Sequence, residues 1–256
     1  MVAADAPAFP TTAAPVRRVG IGSPIAWLAS GWKDLWRQPV ASLFWGLLAA
    51  VGGLAIFAVT TRLPWLFPAA VSGFMLVAPL LATSLYELSR LYETGEQAGL
   101  PESLAVWRRK SPAMIAFGLL LLIAGTAWQV VSVVMVALLY KGGALAPLDL
   151  MREVMLNPAN ASFFVGYMLV GGVLAAFVFA LSVISMPMLV DRDCSVFAAL
   201  STSISAVSEN PLPMVVWAVC IMVLAGLGLA TAFIGLIPIL PWLGHASWHA
   251  YRDLAG

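Results

Sequence analysis

Long apolar segments alternate along this chain with short segments that carry most of its charged residues. A helix rises about 1.5 Å per residue, so about 20 apolar residues cross the ~30 Å hydrocarbon core of a bilayer. The last apolar segment, 211–251, carries no Asp, Glu, Lys or Arg. As a single helix it would be about 60 Å long, so it must fold back inside the membrane as a helical hairpin.

The same criterion predicts six membrane-spanning helices, which we expect to pair as three hairpins. Their ranges are 40–61, 66–86, 113–140, 161–190, 212 to about 228, and from there to about 252. The apolar runs are continuous and lack period-two alternation, which favours helices over a transmembrane barrel. The sequence therefore predicts an all-α polytopic membrane protein. The longest predicted loop, 141–160, is expected to contain a short helix around 148–156.

An amphipathic segment precedes each predicted hairpin. The three segments are 23–38, 101–110 and 195–209. In the first, Ile25, Trp32 and Leu35 recur at helical spacing, with Lys33 and Asp34 on other faces. This pattern is typical of a helix that lies in the headgroup layer of a membrane.

The three amphipathic segments and hairpins predict an internal repeat. Each amphipathic segment ends in a polar residue and Pro: Gln38-Pro39, Ser111-Pro112 and Asn210-Pro211. We expect three repeats, about 23–94, 100–193 and 194–254, in one membrane domain, 23–256, that follows a disordered cytoplasmic tail, 1–22.

The first and third repeats correspond in finer detail. Trp45 stands six residues after Pro39, and Trp217 stands six residues after Pro211. Likewise, Arg90 and Arg252 each stand eleven residues after a proline, at positions 79 and 241. Internal repeats are common in membrane transport folds. They also occur in proteins that transport nothing, so the repeat does not decide the function.

The amino-acid composition indicates a membrane protein, and the net charge disfavours one class of partner. Of the 256 residues, 62% are hydrophobic and 10% are charged, whereas soluble domains carry about 25% charged residues. So few charges cannot cover a water-facing surface. The net charge of +1 indicates no nucleic-acid partner. Cys194 and Cys220 fall in a predicted cytoplasmic segment and in an apolar helix, so neither a disulfide nor a metal motif is expected.

Basic residues concentrate on one side of the predicted membrane domain. Ten fall on one side, namely Arg17, Arg18, Lys33, Arg37, Arg90, Arg108, Arg109, Lys110, Arg192 and Arg252. The other three, Arg62, Lys141 and Arg152, fall on the opposite side. By the positive-inside rule, both termini and all three amphipathic segments are cytoplasmic.

Four stretches carry a resemblance to a known family. They are GWKDLWRQP at 31–39, VAPLL at 77–81, YELSR at 86–90 and the closing GHASWHAYRDL at 244–254, which is the most specific. Over roughly 17–254 the chain resembles the bacterial predicted integral membrane proteins of the domain-of-unknown-function 2189 family. The resemblance implies a six-helix inner-membrane protein of a Gram-negative bacterium. It implies no activity and therefore no functional residues.

His245 and His249 are the only histidines, and they share one face of the predicted last helix. Such a pair could supply two metal ligands or one haem ligand. However, no Glu follows the first His as it does in zinc proteases. The favoured interpretation is a polar helix end, where His also suits the negative end of the helix dipole.

Charged side chains collect at the predicted cytoplasmic ends of the second, fourth and sixth spans. The predicted polar cluster consists of Glu87, Arg90, Asp191, Arg192, Asp193, His245, His249, Arg252 and Asp253. If the three helices are neighbours, this cluster would form a vestibule or a docking site. Separate ion pairs at the helix ends are the alternative.

The pattern argues against several functional classes. No charged residue is predicted at the membrane midplane, which disfavours a proton- or sodium-coupled carrier. There is no phosphate loop and no nucleophile elbow, so we predict no enzyme and no cofactor. The leading hypothesis is a non-enzymatic accessory, interaction or assembly protein that contacts the lipid bilayer or another membrane protein. The alternatives are a small transporter or channel, and a haem- or metal-binding membrane protein.

Overall fold

A computed structural model describes residues 13–62, 67–109, 112–140 and 157–256. In these ranges the chain forms helices and turns without a strand. The helices are α1 (Ser23–Arg37), α2 (Pro39–Arg62), α3 (Phe67–Thr94), α4 (Leu100–Ala105), α5 (Pro112–Leu139), α6 (Ala161–Ser182), α7 (Ser185–Asp191), α8 (Val196–Glu209), α9 (Pro211–Ala230) and α10 (Leu236–Ala255). Short 3-10 helices occupy Val106–Arg109 and Pro158–Asn160. The short helix predicted at 148–156 lies outside the described residues.

Within the described residues, four helical segments are long and apolar enough to cross a membrane. They are α2, α5, α9 and the segment Pro158–Asp191, which contains α6 and α7. Their mean hydropathy lies between 2.1 and 2.5, and many of their large apolar side chains point away from the protein. Such side chains are favourable in hydrocarbon and costly in water. The chain is therefore an all-α protein with several apolar membrane helices.

The predicted fourth span is broken near its end. α6 ends at Ser182 and α7 begins at Ser185, although 161–190 was predicted as one helix. Pro187 has no amide hydrogen to donate to the carbonyl four residues earlier, and its ring crowds that carbonyl. At the break, the Ile184 amide donates to Ser203 Oγ of α8 at 3.2 Å. The predicted helix is therefore interrupted at this turn, although Pro158–Asp191 as a whole is long and apolar enough to cross a membrane.

α10 lies at the centre of the described helices and packs against α1, α2, α3 and α9. Small residues allow the close approach. A Cβ atom on Gly31 of α1 would meet the backbone of Ala246, and one on Gly46 of α2 would collide with the carbonyl of Ile237. The side chains that α10 places among its neighbours include the fully buried Trp248. α10 is therefore enclosed by protein along much of its length.

α8 turns small and polar side chains toward the protein and large apolar side chains outward, whereas α1 also buries the large apolar side chains of Trp27 and Leu35. In α1, Asp34 is 3% exposed, whereas Trp36 is 56% exposed. In α8, Thr202 is fully buried and Phe197 is 78% exposed. The protein-facing side of α1 therefore combines Asp34 with large apolar side chains, whereas that of α8 is small and polar.

Part of the predicted disordered tail is folded against the helices. The Ala14 amide donates to Thr202 Oγ1 at 2.9 Å, and the Val19 amide donates to Asn210 Oδ1 at 2.8 Å. These two side chains accept hydrogen bonds from backbone amides that would bond to water in a disordered tail. The prediction of disorder is therefore wrong for this stretch. Residues 1–12 lie outside the described residues.

Candidate functional site

Four helices bring five polar side chains into one hydrogen-bonded group. The members are Asp34 of α1, Ser42 of α2, Ser89 of α3, and His245 and His249 of α10, and we call them the His245 network. Ser42, Ser89 and His245 are fully buried. Buried polar groups are stable only when they are hydrogen-bonded, so the partners of each atom define the site.

His245 is bonded through both of its ring nitrogens. Nε2 lies 3.0 Å from Ser42 Oγ, and Nδ1 lies 2.7 Å from Ser89 Oγ. Ser89 donates its own hydroxyl hydrogen to Asp34 Oδ2 at 2.9 Å, so it must accept the hydrogen on His245 Nδ1. Nε2 is then the unprotonated nitrogen and accepts the hydroxyl hydrogen of Ser42. The hydrogen-bond directions therefore assign a neutral His245 ring with its hydrogen on Nδ1.

Asp34 is the charged end of the network. Its Oδ2 is 2.7 Å from His249 Nε2, and its Oδ1 is 3.3 Å from Arg37 Nη1. Burial alone would raise the pKa of Asp34. The hydrogen bond and the charge of His249, together with the Ser89 hydroxyl, outweigh burial and lower this pKa below its ordinary value. A buried carboxylate with this set of donors stays ionised and holds α1, α3 and α10 together.

A polar cleft of about 550 Å³ lies beside the His245 network and is lined in part by Arg37, Tyr92 and Glu102. The Arg37 guanidinium lies over the Tyr92 ring, 5.6 Å from its centroid, and that centroid is 6.3 Å from the centroid of His245. Burial, and after it the charge of Asp34, raise the pKa of Tyr92. The ring of Tyr92, which is neutral, therefore lies between the cleft and His245.

A second group of polar side chains forms around Asp191, at the end of α7. Tyr251 OH donates to Asp191 Oδ2 at 2.6 Å, and Arg252 Nη1 is 3.5 Å from the same oxygen. Arg252 Nε also lies 2.9 Å from Glu93 Oε2 of α3, and Arg192 Nε lies 3.5 Å from Asp191. These pairs join the ends of α3, α7 and α10.

The structure divides the predicted polar cluster rather than assembling it into one site. The two histidines belong to the His245 network, whereas Asp191, Arg192 and Arg252 form the ion pairs just described. Glu87 and Arg90 bond each other on α3 through two contacts of 2.9 Å. Asp253 accepts a hydrogen bond from Trp27 Nε1 at 2.9 Å, and Asp193 is exposed.

Sequence reasoning missed three members of the His245 network: Asp34, Ser42 and Ser89. Asp34 was placed on a different face of α1 from its apolar side chains. Gly31 stands three residues before it on the same face, and a glycine at this spacing could have marked a close helix contact. Ser42 and Ser89 carried no usable signal, because a sequence does not show which helices meet.

Three of the four histidine ring nitrogens have partners within the His245 network. Ser42 and Ser89 occupy both nitrogens of His245, and Asp34 occupies Nε2 of His249. Among the described residues, no three His, Cys, Asp or Glu side chains are grouped as metal ligands. The network therefore favours a role in joining helices.

One comparison with known proteins identifies a relationship. A family model described as "Predicted integral membrane protein (DUF2189)" matches residues 66–191. The matched region includes the resembling stretches 77–81 and 86–90, whereas 31–39 and 244–254 lie outside it. No curated protein and no solved structure matches the chain.

Proposed function

Because the chain belongs, over residues 66–191, to the DUF2189 family of predicted integral membrane proteins, we propose that it crosses the bacterial inner membrane six times. α3 and α10 would join the four apolar spans. α10 carries polar side chains that would be costly against lipid, but its neighbours cover them, so its composition does not prevent it from crossing. The distribution of basic residues supports two cytoplasmic termini.

The proposed architecture is three repeats of a short helix followed by a hairpin. The short helices α1, α4 and α8 each precede an apolar span: α2, α5 and α9 respectively. Trp45 and Trp217, which correspond in the first and third repeats, are both fully buried. Arg90 and Arg252, which also correspond, each pair with a glutamate of α3. The outward Trp and Phe side chains of α1 and α8 would lie in the cytoplasmic headgroup layer.

We propose that the protein is a non-enzymatic accessory or assembly protein, which acts by contact with another membrane protein. The closed His245 network carries this proposal. Ser42, Ser89 and His245 are fully buried and bond one another and the Asp34 carboxylate, so these groups are not presented to a substrate or to a transported ion. A network of this kind would hold the cytoplasmic helices in a fixed position against the membrane-spanning helices.

Photo-cross-linking in native membranes tests this function. A photoreactive amino acid is placed at Trp36 or Phe197, on the outward faces of α1 and α8, and at Val215 on the outward face of α9. The proposal predicts a discrete protein adduct from one of these surfaces. Lipid adducts alone at every position would contradict a protein partner.

A further inference from the structure

An apolar cavity of about 600 Å³ lies between α5 and α6, and α3, α9 and α10 close its inner side. We call it the α5–α6 cavity. It extends along α5 from Phe117 to Trp128 and along α6 from Gly171 to Ser182. Eleven residues of helix correspond to about 16 Å. The cavity is therefore long and narrow and lies parallel to two of the apolar spans.

The two ends of the α5–α6 cavity differ in chemistry. At the end where α5 begins and α6 stops, the hydroxyl-bearing residues Tyr86, Ser182 and Ser247 line it. At the other end, Trp128 packs against Gly171, where an added Cβ would lie 2.9 Å from the indole. Between the two ends the walls are hydrocarbon. The cavity thus has one hydrogen-bonding end and one closed apolar end.

The cavity is open toward the bilayer. Leu121 and Leu174, which line it, remain partly exposed, and the adjacent outward residue Val173 is 72% exposed. Both walls belong to apolar spans, so the opening faces lipid chains. Water gains few hydrogen bonds in an apolar cavity, whereas hydrocarbon can enter it from the surrounding membrane without leaving an apolar environment.

We propose that the α5–α6 cavity holds one acyl chain of a membrane phospholipid. Its length of about 16 Å is close to half of the ~30 Å hydrocarbon core, which is the depth of one leaflet. Its volume lies within the roughly 300–1,000 Å³ that is typical of small-molecule sites. Tyr86 and Ser247, whose hydroxyl also donates to the Leu243 carbonyl at 2.7 Å, line the end where the ester group of such a chain would arrive. This lipid site is independent of any protein partner.

The test uses the full-length protein in nanodiscs of phosphatidylethanolamine and phosphatidylglycerol. A small fraction of the phospholipid carries a diazirine, either next to the ester or at the end of the acyl chain. Cross-linked peptides are then mapped by mass spectrometry. The ester-proximal probe should label the end lined by Tyr86 and Ser182, and the chain-end probe should label the end near Trp128. Adducts confined to outward residues such as Val173 would overturn the proposal.

A matched pair of variants tests whether the cavity itself is responsible. Ala124→Phe places a ring in the cavity, and Ala127→Phe adds the same group on the exposed side of α5. We expect labelling of the cavity peptides to fall about tenfold in the first variant and to stay at the wild-type level in the second. Equal labelling in both would overturn the proposal. If Ala124→Phe does not fold, the positions labelled by the ester-proximal and chain-end probes in the wild-type protein decide whether the cavity holds an acyl chain. An isoprenoid or a peptide in place of phospholipid in the purified protein would also overturn it.

Discussion

His249 Nε2 lies 2.7 Å from Asp34 Oδ2, and this contact joins the last helix of the chain to the first. The same carboxylate oxygen accepts the hydroxyl hydrogen of Ser89, which in turn binds His245. This buried carboxylate and its donors therefore form one link between α1 and α10, beside the hydrogen bond from Trp27 to Asp253.

Asp34→Asn should destabilise the protein by about 1–3 kcal/mol. The substitution keeps the side-chain shape, but it removes the charge and leaves fewer acceptor sites for His249 and Ser89. Thermal unfolding in one detergent measures the change. Asp193→Asn is the matched control, because Asp193 is exposed after α7, and it should leave stability almost unchanged. Equal losses from the two variants would contradict the role given to Asp34.

Lowering the pH should reduce the stability of the folded protein, because Asp34 becomes protonated. Because the folded-state pKa of Asp34 lies below the ordinary value of 3.8, this group contributes stability that is fully present above the unfolded-state pKa. That stability is lost as the pH falls through the folded-state pKa. Between pH 5 and pH 3 the melting temperature of the wild-type protein should therefore fall further than that of Asp34→Asn. Parallel curves for the two proteins would argue against an ionised Asp34.

Two buried serines should respond differently to alanine. Ser42 donates to His245 Nε2, so Ser42→Ala leaves that nitrogen unpaired and should cost about 1–3 kcal/mol. Ser84 Oγ has no hydrogen-bond partner in the described part of the chain, so Ser84→Ala should be neutral or slightly stabilising. Denaturation of both variants under the same conditions checks the contrast. A larger loss from Ser84→Ala would refute the assigned hydrogen bonds.

The close packing of α2 on α10 should not tolerate a methyl group at Gly46. A Cβ there would collide with the backbone carbonyl of Ile237, and a backbone atom inside the bundle cannot move aside easily. Gly46→Ala should therefore destabilise the protein by about 3 kcal/mol. Gly52, six residues along the same helix, has open space around it, and Gly52→Ala should be harmless. Expression level and melting temperature report both results.

The helices were predictable because apolar segments and Pro-containing boundaries are local properties of the chain. α2 begins at Pro39 and α9 begins at Pro211, as the polar-Pro dipeptides predicted. The break before Pro187 was missed because proline is tolerated in membrane helices when another group satisfies the freed backbone. Here that group is the Ser203 hydroxyl, which comes from a helix that the local pattern could not place.

The candidate site was only half predictable, because it depends on which helices meet. The spacing of His245 and His249 showed one polar face, but it did not show that the face is buried. Asp34 resembled a solvated charge because the sequence does not show which side of α1 packs on α10. Asp34 is in fact buried next to Leu35, while outward residues such as Trp36 can face lipid.

A double-mutant cycle on Asp34 and His249 tests the central claim most directly, because it isolates the link between the first and last helices. The free energies of unfolding are measured for Asp34→Asn, His249→Gln and the double variant. The two side chains should be coupled by about 1–3 kcal/mol, so the double variant should be little worse than the more damaging single variant. Strictly additive losses would show that α1 and α10 are not joined through this contact and would contradict the account.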